Sequence, residues 1–472
     1  MIIEAIGIAA IFIGIIGLLT QPAFLVYVFF LSLLLGSAAA IQLPSLGNST
    51  ILPPHLILGF LAVQCFAQKS NLLSLGKVFS FPRAGFWLLL AVLYGLMSAV
   101  FFPRLFSGYT YVFTIRGTQI GTGIFLTPLE PASGNVTQSI YFLGDLVCFG
   151  IFFIYASNAV LARKIMYAAI CCGIGNLLFA LLDLVTFWTG TAQILEFIRN
   201  ANYSMLDTAE VQGFKRIVGS FPEASTFGGI TLGLFTFHAK LLIDGIHPRV
   251  TVAVSFLSLL ALVFSTSSTA YGGTSITLGV LYLVSMWRVV RGPVSKETMA
   301  FVLVFPLIVV VCGLTLALNT AAWDTVNQMI DSTIINKLSS GSGVERTAWT
   351  WQALVNFSDT MWLGAGVGSV RGSSFPAVVL GSMGLFGAIT YLAFFACLFF
   401  VRSGRWTGPL AIQQSAARWA CFSQLAAAVV GGGSVDLGLL FFSFAGLACG
   451  RSADRPASAS PNEKEPGNMN GR

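Results

Sequence analysis

Apolar residues in this chain run together in blocks of roughly twenty, separated by short polar segments; the short alternating strands of an outer-membrane barrel are absent. A bilayer core about 30 Å thick is crossed by about twenty residues of helix, and helices satisfy their own backbone hydrogen bonds in hydrocarbon. The blocks at 2–19, 22–41, 84–102, 139–158, 165–187, 222–239, 250–266, 270–287, 298–318, 374–401, 409–431 and 434–450 therefore predict twelve spans. A shorter run, 56–67, reads as a re-entrant or thin span and makes a thirteenth. The expected fold class is all-α: a polytopic membrane helix bundle with 12–13 transmembrane helices and two large extracytoplasmic loops. Residues 1–450 form a single transmembrane domain, and 451–472, polar and rich in Pro, Ser, Asn and Gly, form a disordered cytoplasmic tail.

Basic residues orient the bundle. Lys69, Lys77 and Arg83, then Arg163 and Lys164, Lys240 and Arg249, Arg288, Arg291 and Lys296, and Arg402 and Arg405 mark alternate short loops, which the positive-inside rule assigns to the cytoplasm. The opposite side receives the longer segments 103–138, 188–221 and 319–373, which hold eight of the 18 acidic residues. The last two carry the candidate chemistry. The first, with Arg116, Glu130, Asn135 and Gln138 near Asp145, reads as a lid or a connection. Asp145 and Asp183 fall near outer ends of spans and read as structural.

Composition agrees with a membrane chain: 56% hydrophobic and 9% charged, against about a quarter charged in soluble domains. The net charge of +7 is scattered singly or in pairs, so topology accounts for it and a nucleic-acid partner is not expected. All eight cysteines fall inside apolar blocks and read as packing residues. A Walker A loop, a D-x-D motif, H-E-x-x-H and CxxC are all missing. His238 and His247 fall on the cytoplasmic side, away from the large loops. Nucleotide, zinc and other cofactor chemistry is not expected, no metal site is assigned, and arginines must carry any phosphate handling.

Two segments stand out. Lys215 and Arg216 lie on the side where positive charge is disfavoured, just before Gly219, Pro222 and Glu223 lead into a span. A phosphate at the membrane surface would compensate them, helped by the adjoining helix N-terminus. Ser220 and Glu223 also stand in S-x-x-E order with Pro222 in the first turn, which reads equally as a capping box. In the last loop, residues 344–356 predict a surface helix with Val344, Ala348, Trp351 and Val355 on its apolar side. Arg346 and Trp349 lie on this helix, and Arg371 follows Gly364-Ala-Gly-Val-Gly368. Those glycines permit close backbone approach and flexible closure over a substrate. The tryptophans serve as interface anchors or as faces on which sugar rings stack.

The order of these motifs resembles the O-antigen polymerase and ligase superfamily over about residues 120–400. The resemblance rests on Arg216-x-x-Gly219-x-x-Pro222-Glu223 before a span, Ser265-Thr-Ser-Ser-Thr-Ala-Tyr-Gly between two spans, Arg346-x-x-Trp349, and Leu363-Gly-Ala-Gly-Val-Gly368 ahead of Gly384-x-x-Gly387. It implies a metal-independent glycosyltransferase at the outer face of a bacterial inner membrane, with a lipid-linked glycan on undecaprenyl diphosphate as donor. It further implies that Arg216, Arg346 and Arg371, with Lys215 and Trp349 beside them, hold the donor while Glu223 helps deprotonate the acceptor. A chain-length regulator and a flippase are the implied partners. The ligase branch has a histidine near the end of the large loop; here that stretch is Arg371-Gly-Ser-Ser-Phe-Pro376, which favours a polymerase. A transporter or flippase, the rival reading, requires polar groups and broken helices at mid-membrane.

Overall fold

Uninterrupted apolar blocks become single helices, and glycine, proline and buried polar residues decide where the others break. The computed structural model describes residues 1–44, 49–118, 121–201, 206, 208–211, 213–320, 323–324, 327–328, 331, 341–401 and 408–450. The tail 451–472, Asp207, Arg402, Arg405 and the Arg116 side chain lie outside the described ones. In chain order the helices are α1 (Ala5–Leu18), α2 (Pro22–Ser32), α3 (Pro53–Phe66), α4 (Lys69–Val78), α5 (Ala84–Leu105), α6 (Ser133–Ala156), α7 (Ala159–Trp188) and α8 (Ala224–Ile243). They continue as α9 (Pro248–Phe264), α10 (Ser268–Arg291), α11 (Lys296–Leu318), α12 (Gly341–Asp359), α13 (Phe375–Phe400), α14 (Pro409–Gly431) and α15 (Leu439–Cys449).

Among the described residues seven helices are long and apolar enough to cross a membrane: α5, α6, α7, α8, α10, α11 and α13. The doubtful run 56–67 belongs to α3, which bends by 106° into α4; counted as one broken span, the pair makes eight. That is fewer than the expected 12–13; the block 409–431 becomes α14, 23 residues long but not among the seven. The blocks 2–19, 22–41, 250–266 and 434–450 give only the shorter helices α1, α2, α9 and α15. The 11 residues of α2 or α15 rise about 17 Å, roughly half the hydrocarbon core. The block at 22–41 ends in strand Ile41–Leu43, which pairs with Ile2–Ile3 and Ser49–Ile51. The block at 434–450 follows Gly431-Gly-Gly433 and carries Ser434 and Asp436, whose side chains bond neighbouring amides instead of leaving them to a helix.

Non-helical backbone at membrane depth needs protein or a cavity around it. Segment 432–438 has both. Tyr391 of α13 donates its hydroxyl to the Val435 carbonyl at 2.7 Å, and Ser434 bonds Gln138 of α6 at 2.8 Å. All eleven residues of α15 are buried, and Gly446 lets the backbone of α6 approach: a Cβ there would lie 2.6 Å from the Phe149 carbonyl oxygen. Phenylalanines knit the short helices to the long ones, with Phe29 and Phe152 centroids 5.2 Å apart and Phe237 stacked on Phe444 at 4.8 Å. In α11, by contrast, only Thr298 is buried.

Segment 103–138 is neither a lid nor a plain connection but an antiparallel hairpin, Tyr111–Thr118 with Gly121–Pro128. Gln352 and Asn356 of α12 both donate to the Tyr111 carbonyl at 2.7 Å, so the hairpin holds α12 in place.

Candidate functional site

The ends of α8, α10, α12 and α13 meet at one end of the bundle. Residues 213–219 lead to this point, and their position is set by a buried ion cluster. Asp183 of α7 accepts from Lys215 Nζ at 3.0 and 3.1 Å, from Arg199 Nη2 at 2.7 Å, and from the amides of Val218 and Gly219 at 2.9 and 3.1 Å. Lys215 also donates to the Arg216 carbonyl at 3.1 Å and lies 5.3 Å from the Phe187 ring centroid. With 2% of its side chain exposed, Lys215 is part of the scaffold and does not join the cavities described below, contrary to its assignment as a substrate-binding residue. Asp183 has the structural role expected of it.

Arg216 points the other way. Its Nε donates to Thr266 Oγ1 at 3.1 Å and its Nη2 to the Thr266 carbonyl at 3.3 Å. Thr266 sits in the turn between α9 and α10 with φ at +45°, a left-handed conformation that is costly for a β-branched residue. The turn 265–267 between α9 and α10 thus also orients a guanidinium.

Beside it lies a cavity of about 600 Å³. Ser268, Tyr271 and Ser275 of α10 form one wall, and Arg346, Thr347 and Thr350 of α12 the other, with Ser373 and Ser374 at the start of α13. A second cavity of about 360 Å³ adjoins along α10 and α14, where Thr269 neighbours Ser268 and Gly431 neighbours Val430; Glu223, Gln424, Ser434 and Asp436 line it.

Arg346 lines the larger cavity, and its side chain makes no hydrogen bond or ion pair among the described residues. Arg371 lies just before the Ser373–Ser374 wall with its guanidinium 4.5 Å from the Trp349 ring centroid, and its buried Nε has no hydrogen-bond partner. Trp349 therefore offers one face to an arginine. Burial pushes the Arg371 guanidinium below its ordinary value, opposed by Glu223 and Glu345. Burial likewise lowers Arg216, which Arg346 lowers further and Glu223 and Tyr271 raise. Both stay cationic at any working pH. Arg216 thus senses Arg346 and Glu223, and Arg371 senses Glu223 and Glu345.

Glu223 is not part of a capping box. The helix starts at Ala224, so Glu223 occupies the cap position itself, without a side-chain bond to a helix amide, and Ser220 donates instead to the Leu34 carbonyl. Glu223 accepts from the Ser225 hydroxyl and faces the smaller cavity. The α13 start at Ser374 also lacks a side-chain cap. Two uncapped N-termini and three arginines make this end of the bundle electropositive, suited to an anion.

One other expectation changes. The glycine loop does not close over a substrate: Gly364, Gly366 and Gly368 have φ of +93°, +96° and +85° and are locked in place. Ala365 and Gly366 amides bond the Gly381 and Ser382 carbonyls at 2.7 and 3.0 Å, and Asn135 Nδ2 reaches the Val367 carbonyl at 2.7 Å. On α12, Val344, Ala348 and Trp351 of the expected apolar side are exposed on the protein, as a side turned to a membrane surface is, while Gly343, Ala353 and Asn356 pack inward. The sequence reading named Thr266 and Tyr271 only as part of the 265–272 motif and gave them no role at the site, and it passed over Asp436, whose signal was a carboxylate inside an apolar block.

Fold and site together define a multi-pass helical membrane protein with a cationic cavity at one end of its bundle. Comparison with protein families, curated proteins and solved structures returns no match to this chain.

Proposed function

We propose that this chain is a polysaccharide polymerase that transfers lipid-diphosphate-linked oligosaccharide units to a growing glycan at the outer face of a bacterial inner membrane. The observation that carries the reading is Arg346, which lines the 600 Å³ cavity, with Arg371 two residues before its Ser373–Ser374 wall, neither guanidinium bonded to a carboxylate among the described residues. Partly buried cations without a counter-ion are costly unless an anion arrives. A diphosphate leaving group suits them: negative charge grows on its oxygens as the glycosidic bond breaks, and preorganised cations stabilise that charge. Glu223, within electrostatic reach of Arg216 and Arg371, is the candidate to receive the acceptor hydroxyl's proton. The resemblance in motif order to O-antigen polymerases points the same way.

A transporter is the second reading, favoured by the non-helical segment 432–438 and by Asp145 inside α6. One experiment separates the readings. Purified protein is mixed with lipid-diphosphate-linked repeat units without nucleotide or metal, and product length is followed. A ladder that Arg346→Ala abolishes supports the polymerase. A single transfer to a foreign acceptor indicates a ligase instead, and movement of intact lipid with no bond made indicates transport.

A further inference from the structure

Asp145 was expected near the outer end of its span, but α6 begins at Ser133, extended by a polar first turn in which Asn135 accepts from the Ala132 amide at 2.8 Å. The carboxyl therefore lies about 18 Å along the helix, near its middle. It is 1% exposed, and both of its oxygens are buried without a donor. Facing it within hydrogen-bonding reach is the carboxyl of Asp436, from the non-helical segment 432–438. Asp436 Oδ1 accepts from the Gly438 amide at 2.5 Å.

The other titratable groups around the pair are all able to be neutral. His55 of α3, stacked on Tyr141 at 4.5 Å, is within coulombic reach of Asp436, and its Nδ1 is buried without a partner. Tyr391 of α13 acts on both carboxyls. Cys148, one turn along α6, feels Asp145 and bonds the Leu439 carbonyl at 3.5 Å. Among the described residues no lysine or arginine pairs with either acid.

Two ionised carboxylates cannot share such a place at tolerable cost, because Asp145 lacks solvation and the two repel each other. We propose that Asp145 and Asp436 hold one exchangeable proton between them, forming a proton-binding site in the middle of the bundle. The bound proton supplies the donor that the Asp145 oxygens lack: one carboxyl becomes an O–H donor and the other remains its carboxylate acceptor. Access is through Asp436, which also lines the 360 Å³ cavity shared with Glu223, Gln424 and Ser434. The proton is taken from and returned to water in that cavity. The inference rests on the buried acids and not on glycan transfer, so either can fail alone.

Infrared difference spectra of the purified full-length protein, recorded across pH steps in H₂O and D₂O, test it. The expected result is a carboxylic-acid C=O band at neutral pH that shifts in D₂O, is lost or moved in frequency in Asp145→Asn and in Asp436→Asn, and is unchanged in Glu223→Gln. Circular dichroism and monodisperse elution check folding; should Asp145→Asn not fold, Asp436→Asn at the cavity wall reads the same band. Absence of the band overturns the proposal, and if Na⁺ but not choline then raises the thermal midpoint, the pair holds a cation. A band that both Asn variants leave unchanged overturns it as well.

Discussion

The Asp183 cluster and the Arg346–Arg371 pair lie at the same end of the bundle, and both place positive charge out of water, yet they are built in opposite ways. Around Asp183, one carboxylate receives two cations and two backbone amides, so its acceptor sites are filled by protein. Around Arg346 and Arg371, neither guanidinium has a carboxylate bonded to it. Satisfied charge fixes backbone; unsatisfied charge waits for something from outside. Lys215 and Arg216, adjacent in sequence, fall on either side of that division, and sequence position could not have separated them.

The sharpest way to break the comparison is to empty the satisfied cluster. Asp183→Ala leaves Lys215 and Arg199 buried without their anion and two amides without an acceptor. Removing one partner of a buried pair costs about 3–5 kcal/mol, so thermal unfolding should show a loss of that order or the variant should not purify. A midpoint close to wild type would show that the cluster does not organise 213–219. Arg346→Ala is the counterpart. No protein hydrogen bond is lost, so stability should stay within about 0.5 kcal/mol. Transfer from a lipid-diphosphate donor should fall about 10²–10³-fold, the effect of deleting one preorganised group that stabilises transition-state charge. An Arg346→Ala protein as unstable as Asp183→Ala would erase the distinction between the two sites.

The glycine loop behind Arg371 gives a smaller effect of the structural kind. In Gly368→Ala a Cβ would lie 2.3 Å from the Gly134 carbonyl oxygen at a φ of +85°. Strain and overpacking together should destabilise by about 1–3 kcal/mol in a thermal melt, where a mobile lid would tolerate the methyl. The sequence reading of this loop was half right: close approach was legible in the glycine spacing, rigidity was not, since its partners Ser382 and Gly134 are remote in sequence. The span count failed for a related reason. Helix α15 is buried on every residue, whereas α11 buries only Thr298; both are apolar all round, so hydropathy cannot tell a half-helix packed in protein from a full one facing lipid. The helices α5, α7, α8, α10, α11 and α13, whose blocks hold no acids apart from Glu223 at the start of the α8 block and Asp183 near the end of α7, started within about six residues of expectation. The three arginines were legible because they stand in the long loops that the distribution of basic residues sets apart from the short basic ones; Asp436 was not, hidden in an apolar block.

The smallest effect separates two roles for Trp349. Its ring carries the Arg371 guanidinium at 4.5 Å, and such a contact contributes about 0.5–2 kcal/mol depending on desolvation. If the ring serves to aim Arg371, Trp349→Leu should lower transfer by about 5- to 10-fold, and Trp349→Phe, which keeps an aromatic face, should recover most of it. The loss should vanish in an Arg371→Ala background, because the group being aimed is gone, a double-mutant cycle that isolates the pair. If instead the ring stacks on a sugar, the two substitutions should add, and KM for the glycan should rise while binding of inorganic diphosphate stays unchanged. The second outcome would move Trp349 from support to contact and would mean that Arg371 shifts off the ring when the cavity fills.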